Sequence, residues 1–150
     1  MSNRTVAVLL LSVLLAACGG EARDDRPGQP VAHRRAAFKE LLKAFEPMGV
    51  MMRDGPYKAD KFKQLTAGVM AKREGPWEYF KPDTLYPPSK AKPEVWSDPA
   101  GFAAAKKQFF DATEKLAATA AGTPDKDAAK AAFEAVQSAC KNCHEHYKTR

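Results

Sequence analysis

Cys140, Cys143 and His144 stand in the order Cys-Lys-Asn-Cys-His close to the end of the chain. Two thiols spaced C-x-x-C with a histidine directly after the second form the attachment signature of a c-type haem. Each thiol adds across one vinyl group, and the imidazole must reach the iron between them. On a helix the three residues fall at i, i+3 and i+4, so they project from one face and a single ring plane can meet them all. The pattern points to one covalently attached haem c held by Cys140 and Cys143, with His144 as the metal ligand.

Two other chemistries use the same residue types. A structural zinc ion drawn from Cys140, Cys143, His144 and His146 would need its ligands arranged tetrahedrally, and four ligands this close together on one helix do not easily surround one ion. A thioredoxin-like redox pair, or a simple disulfide, also uses C-x-x-C. The redox pair needs a βαβ setting and a helix N-terminus to lower the thiol pKa. Here the motif lies at the C-terminal end of a helical pattern with no strand signal near it.

The elements that must position the motif are helices. From Val31 to about Asp54, apolar residues at Phe38, Leu41, Leu42, Phe45, Met48 and Met52 follow the spacing of one helical face. Asp54-Gly55-Pro56 stops that helix, and a shorter one follows from Lys58 to about Lys72 with Phe62, Leu65 and Val69 on one side. Glu74 to Ser97 carries five of the 11 prolines and no sustained period, which predicts a long loop around Trp77, Phe80 and Trp96. Loops of this length usually carry function. Ser97-Asp98-Pro99 then opens a third helix with Phe102, Ala105, Phe109, Ala112 and Leu116 inward, ended by Gly122. Thr123-Pro124-Asp125 opens a fourth, in which Phe133, Val136, Cys140, His144 and Tyr147 share a stripe. The expected fold is all-α, an antiparallel four-helix bundle over residues 31–150, with the haem near the C-terminal end of the last helix. In such a bundle the start of the first helix, Arg34 to Leu42, faces His144.

Upstream, residues 1–17 combine Arg4, an apolar run from Val6 to Leu15 and the small residues Ala16 and Ala17. This reads as a signal peptide whose apolar run is too short for a stable span. Leu15-Ala16-Ala17-Cys18 resembles a bacterial lipobox, which would make Cys18 a lipidated N-terminus, and ordinary cleavage at a small-residue site is the other reading. Residues 18–30 are then a lipidated tether, since Gly19 to Pro30 has almost no large apolar residues with which to order itself. The expected location is the periplasm, on a membrane through lipid on Cys18. The formal net charge of +6 includes Arg4 and is spread over the helices without a dense cluster, so nucleic acid is not expected as a partner. A basic surface would steer an acidic redox partner, although an ordinary solvated face accounts for it equally. Of the three cysteines, one lies at the leader boundary and two in the motif, which leaves no disulfide framework.

With the motif near the C-terminus of a four-helix chain, the sequence resembles the class II c-type cytochromes, most closely the cytochrome c′ family. The residues that carry the resemblance are Arg34 with Phe38-Lys39, Pro47-Met48-Gly49, Gly55-Pro56-Tyr57, Trp96 to Phe102, and Cys140 to His144 followed by Tyr147-Lys148. The resemblance implies an iron with one protein ligand, His144, and a hydrophobic residue of the first helix, matched by Phe38, covering the other side. It implies that Arg34 lies near the haem propionates and that Phe80 helps line the distal pocket. Lys148 stands where the family commonly has arginine beside the proximal face; it keeps the charge and loses the planar fork. Arg35 stands where the family commonly has glutamine and reads as a solvated surface charge. The resemblance further implies single-electron transfer with periplasmic redox partners, binding of small gases such as nitric oxide and carbon monoxide, and frequently homodimers packed through the first two helices.

Met48, Met51, Met52 and Met70 offer sulfur to iron in principle, but methionine at helical spacing more often fills a core. Met48 lies ten residues beyond Phe38, roughly 15 Å along a helix, and Phe38 itself has no lone pair. His33 is expected at the surface, and His146 is turned to a different helical face from His144. The expected function is therefore a c-type haem protein with five-coordinate iron that binds small gases, transfers single electrons, or both. A six-coordinate, low-spin cytochrome acting purely as an electron carrier is the alternative. Enzymatic activity is not expected, because the distal region offers no histidine or acid pair for proton transfer.

Overall fold

In a computed structural model of the chain, residues 23–150 are described. The predicted signal peptide and Cys18 lie outside them. Four long helices make the bundle: α1 (Pro30–Arg53), α2 (Ala59–Lys72), α4 (Pro99–Ala121) and α5 (Lys126–Tyr147). Between α2 and α4 runs the long connection, which contains a 3-10 turn at Trp77–Tyr79 and the one-turn helix α3 (Glu94–Ser97). These two short elements were not visible in the hydrophobic period, because a single turn is too short to express one.

The boundaries follow the local signals. The Asp98 carboxylate accepts the Gly101 N–H at 3.0 Å and Pro99 fills the first turn of α4, while the Asp125 carboxylate accepts the Ala128 N–H at 2.8 Å to open α5. Such caps are worth about 1 kcal/mol each. α1 passes through Pro47, which lacks an N–H for the ladder and lies on the exposed side.

α1 packs along α2, α2 along α4, and α4 along α5, as an antiparallel bundle requires. Met48, Phe62, Val69 and Leu116 are fully buried at the centre and Val136 nearly so. The Phe45 and Phe133 rings stack with centroids 4.7 Å apart and close α1 onto α5. At the end of the bundle away from the motif, the Tyr57 hydroxyl donates to the Pro124 carbonyl at 2.6 Å and ties the α1–α2 turn to the α4–α5 turn. Leu42, expected on the inner face of α1, is instead 53% exposed, because the apolar stripe passes through Leu41 and Phe45 and turns Leu42 outward.

The stretch read as a free tether up to Pro30 is not free over its described part. Asp24 is 2% exposed and accepts hydrogen bonds from the backbone N–H groups of Val31 at 2.9 Å, Ala32 at 3.0 Å and Arg26 at 3.2 Å, and from the Tyr86 hydroxyl at 2.9 Å. It thus satisfies the first donors of α1, for which Gln29 at the cap position supplies no side-chain bond. Composition alone missed this, since the partner that secures Asp24 is 62 residues away.

Candidate functional site

The buried stripe of α5, Ala129, Ala132, Phe133, Val136 and Ala139, continues into Cys140 and Cys143, both partly buried and both free. Burial, and next the neighbouring Cys143, push the Cys140 thiol up to about 11, and burial also raises Cys143. That is the opposite of the low pKa a redox-active pair requires. His144 is exposed at the same end, and desolvation, then the charge of Lys148, hold it below its ordinary value. Among the described residues no group of three or more His, Cys, Asp or Glu side chains is arranged to hold a metal ion.

The long connection brings aromatic rings to this end. The Trp77 indole N–H donates to the Arg73 carbonyl at 2.7 Å, which fixes the ring as the connection leaves α2. Phe38 of α1 meets Trp77 edge-on at 5.7 Å and Phe80 at 6.1 Å. Phe80 lies 4.9 Å from Phe102 of α4, and Phe102 meets Tyr147 of α5 edge-on at 5.3 Å. All five rings are only partly buried, so a continuous apolar wall retains uncovered surface beside the motif. Trp96 takes a different role, donating its indole N–H to the Lys81 carbonyl at 3.1 Å to fold the connection on itself.

Arg34 is 4% exposed and donates to the Tyr79 carbonyl (3.1 Å), the Thr84 hydroxyl (3.0 Å), the Thr84 carbonyl (3.1 Å) and the Ser89 hydroxyl (2.8 Å). Every one of these acceptors is neutral. Burial lowers its pKa, with Tyr86 and Asp24 acting in the opposite direction. A buried cation with only neutral partners beside an apolar wall suits a ligand that is flat, greasy and edged with carboxylates. Two thiols on one face, an imidazole one residue on, and this wall together fit haem c.

The structure therefore gathers Phe38 and Phe80 in one wall, sets Arg34 against Phe80, and puts Cys140, Cys143, His144 and Lys148 together at the end of α5. Lys148 is the residue that follows the helix, its N–H donating to the His144 carbonyl at 3.1 Å. Arg35, expected as a solvated charge, is half-buried and lines an open cleft of about 340 Å³ with Asp24, Gln29 and Lys39. Trp77, Thr84 and Ser89 were not singled out as site residues. Trp77 had a signal in its loop; Thr84 and Ser89 had none, because their role depends on the distant Arg34.

Comparisons with known proteins agree with this geometry. The family model described as cytochrome c′ matches residues 29–148. Cytochrome c′ of Rubrivivax gelatinosus is 35% identical over 128 residues, covering 84% of this chain and 98% of the relative. That of Alcaligenes xylosoxydans xylosoxydans is 32% identical over 126 residues, covering 83% and 97%. Among solved structures, the crystal structure of cytochrome c′ from Rubrivivax gelatinosus matches with a TM-score of 0.76 at 32% identity, over 85% of this chain and 100% of that one. A nitric oxide complex of a variant cytochrome c prime from Alcaligenes xylosoxidans matches with a TM-score of 0.77 at 31% identity, over 85% and 99%. The carbon monoxide-bound form of another variant matches at 0.76 and 31%, over 85% and 100%. The match to the family model and to relatives above 30% identity over nearly their whole length, on a bundle whose last helix carries Cys140, Cys143 and His144, means that this chain belongs to the cytochrome c′ family.

Proposed function

We propose that the protein carries one haem c, attached through Cys140 and Cys143 and bound at its iron by His144, and that it binds small gases, transfers single electrons, or both. The observation that carries this reading is that the helix end bearing Cys140, Cys143 and His144 joins, through the Tyr147–Phe102 contact, a partly uncovered aromatic wall edged by the buried cation Arg34. Bound there, the haem would supply an iron for one-electron chemistry and gas ligation. The chain's own residues would do the rest: Cys140 and Cys143 would hold the haem covalently, Arg34 would set a positive charge at the edge of the wall, and Phe38, Trp77, Phe80 and Phe102 would exclude water.

Phe38 has no atom that can bind iron, so as the residue covering the haem it would leave room for a small diatomic molecule, which is the five-coordinate reading. Met48, Met51 and Met52 are each at most 7% exposed and belong to the core cluster. Solved relatives with bound nitric oxide and carbon monoxide support the choice of gases. No enzymatic step is proposed, and the protein would exchange electrons with partners in the periplasm, held to a membrane by lipid on Cys18. Homodimers packed through α1 and α2 are part of the same reading, and the exposed Leu42 and Val50 on α1 suit it.

The test is haem staining after denaturing electrophoresis of protein from cells competent in cytochrome c maturation. A stained band is expected for the wild type and a weaker one for Cys140→Ala. An unstained wild-type band would overturn the attachment.

A further inference from the structure

We propose that Tyr147 is a positioning residue for His144, holding the last turn of α5 in one orientation through its hydroxyl and its carbonyl. The inference rests on His144 being the iron ligand as proposed above.

The last turn of a helix has no intrahelical donors for its final carbonyls and frays easily. α5 carries its chemistry there, with His144 three residues before the helix ends at Tyr147. Metal-binding histidines are usually oriented by a hydrogen bond to the second ring nitrogen. The His144 ring has no such partner among the described residues. The backbone turn on which it stands sets where the ring can lie.

Two neighbours hold that turn. On one side, the Lys92 N–H donates to the Tyr147 carbonyl at 3.0 Å, the Lys92 ammonium to the Glu145 carbonyl at 2.8 Å, and the Thr149 N–H to the Lys90 carbonyl at 2.8 Å. On the other, the Tyr147 hydroxyl donates to Asp98 Oδ2 at 3.0 Å, while Oδ1 of the same carboxylate caps α4. One side chain thus joins the start of α4 to the end of α5. Tyr147 lies at i+3 from His144 and i+4 from Cys143, so restraining it restrains the face that bears the motif.

Gly101 is the independent sign that this contact is built in. A Cβ there would overlap both the Asp98 carboxylate and the Tyr147 hydroxyl. Glycine inside a helix is less favourable than alanine, so its presence calls for a reason. Here it leaves the space through which Tyr147 reaches the cap of α4.

The experiment uses the haem-loaded protein and Tyr147→Phe, which keeps the ring against Phe102 and removes only the hydroxyl. Three quantities are read: the iron–histidine stretching band of the ferrous form by resonance Raman, amide exchange at residues 145–149, and the melting temperature. The band is expected to shift and broaden, and exchange to accelerate about fivefold or more, as for loss of one hydrogen bond. A band that does not move overturns the proposal whatever the melting temperature does. If Tyr147→Phe fails to mature, Asp98→Ser, whose hydroxyl can still cap α4 but which no longer offers Oδ2 to the Tyr147 hydroxyl, must move the band in the same direction, and no movement again overturns the proposal. Lys107→Ala breaks the exposed pair with Asp111 on α4 and must leave the band in place; if it moves, the band reports general loosening and the proposal fails. A wild-type protein without any iron–histidine band would instead overturn the haem reading itself.

Discussion

The Arg34 guanidinium lies over the ring of Phe80, with Cζ 4.6 Å from the ring centroid, and so joins α1 to the long connection at the edge of the aromatic wall. The same side chain organises the connection through Thr84 and Ser89. Arg34→Ala would leave four acceptors, two buried on Thr84 and two partly buried on Tyr79 and Ser89, without this donor and is expected to cost on the order of 3 kcal/mol in urea unfolding. Arg34→Lys keeps the charge but cannot span Tyr79, Thr84 and Ser89 together, so it should recover only part of that loss. Equal stability of all three proteins would contradict the role given to Arg34.

Asp24 predicts a pH dependence. Its burial alone would raise its pKa, but the hydrogen bonds from Ala32, Tyr86, Arg26 and Val31 outweigh this and hold the carboxyl below its ordinary value. A carboxyl whose pKa is depressed by folding contributes stability that is present above its unfolded value, about 4, and is lost as pH falls through the folded value. Melting temperatures measured from pH 7 to pH 3 should therefore fall less steeply on the acid side for Asp24→Asn, starting from a lower value at neutral pH. Parallel curves would rule out Asp24 as a contributor.

Phe38 is expected to decide how the distal face behaves. Phe38→Ala should open the wall beside Trp77 and Phe80 and speed carbon monoxide binding in stopped-flow mixing, at a stability cost of about 2 kcal/mol. Phe38→Met should supply the missing sulfur and move the spectrum toward low spin. Unchanged carbon monoxide rates in both variants would remove Phe38 from the ligand's path.

How much was legible in the sequence depends on range. The four long helices were, because Asp98-Pro99, Asp125, Gly122 and Asp54-Gly55-Pro56 are local signals and the apolar periods run for several turns. So was the motif, whose chemistry is fixed by adjacent residues. The pairs that shape the surroundings were not: Asp24 with Tyr86, Arg34 with Thr84 and Ser89, and Asp98 with Tyr147 are separated by 62, 50, 55 and 49 residues. Periodicity cannot register a contact between a helix and a distant loop. Leu42 was misplaced for a related reason, since a stripe three residues wide leaves its edge position undecided until the neighbouring helix is known.

The N-terminus gives a further prediction. If Cys18 is lipidated, mass spectrometry of the native protein should find a diacylated or triacylated cysteine as its first residue, and the protein should partition with membranes and be released by proteolysis between Cys18 and Asp24. An unmodified terminus at another residue would mean an ordinary secretory signal.

The central claim, an iron held by His144 with its other side open behind Phe38, is tested most directly by EPR of the purified ferric protein at neutral pH, followed by the ferrous protein under nitric oxide. A high-spin ferric signal and a new nitrosyl signal on adding the gas are predicted. A ferric spectrum already low-spin, with no nitrosyl species formed, would contradict the open site and leave a six-coordinate electron carrier.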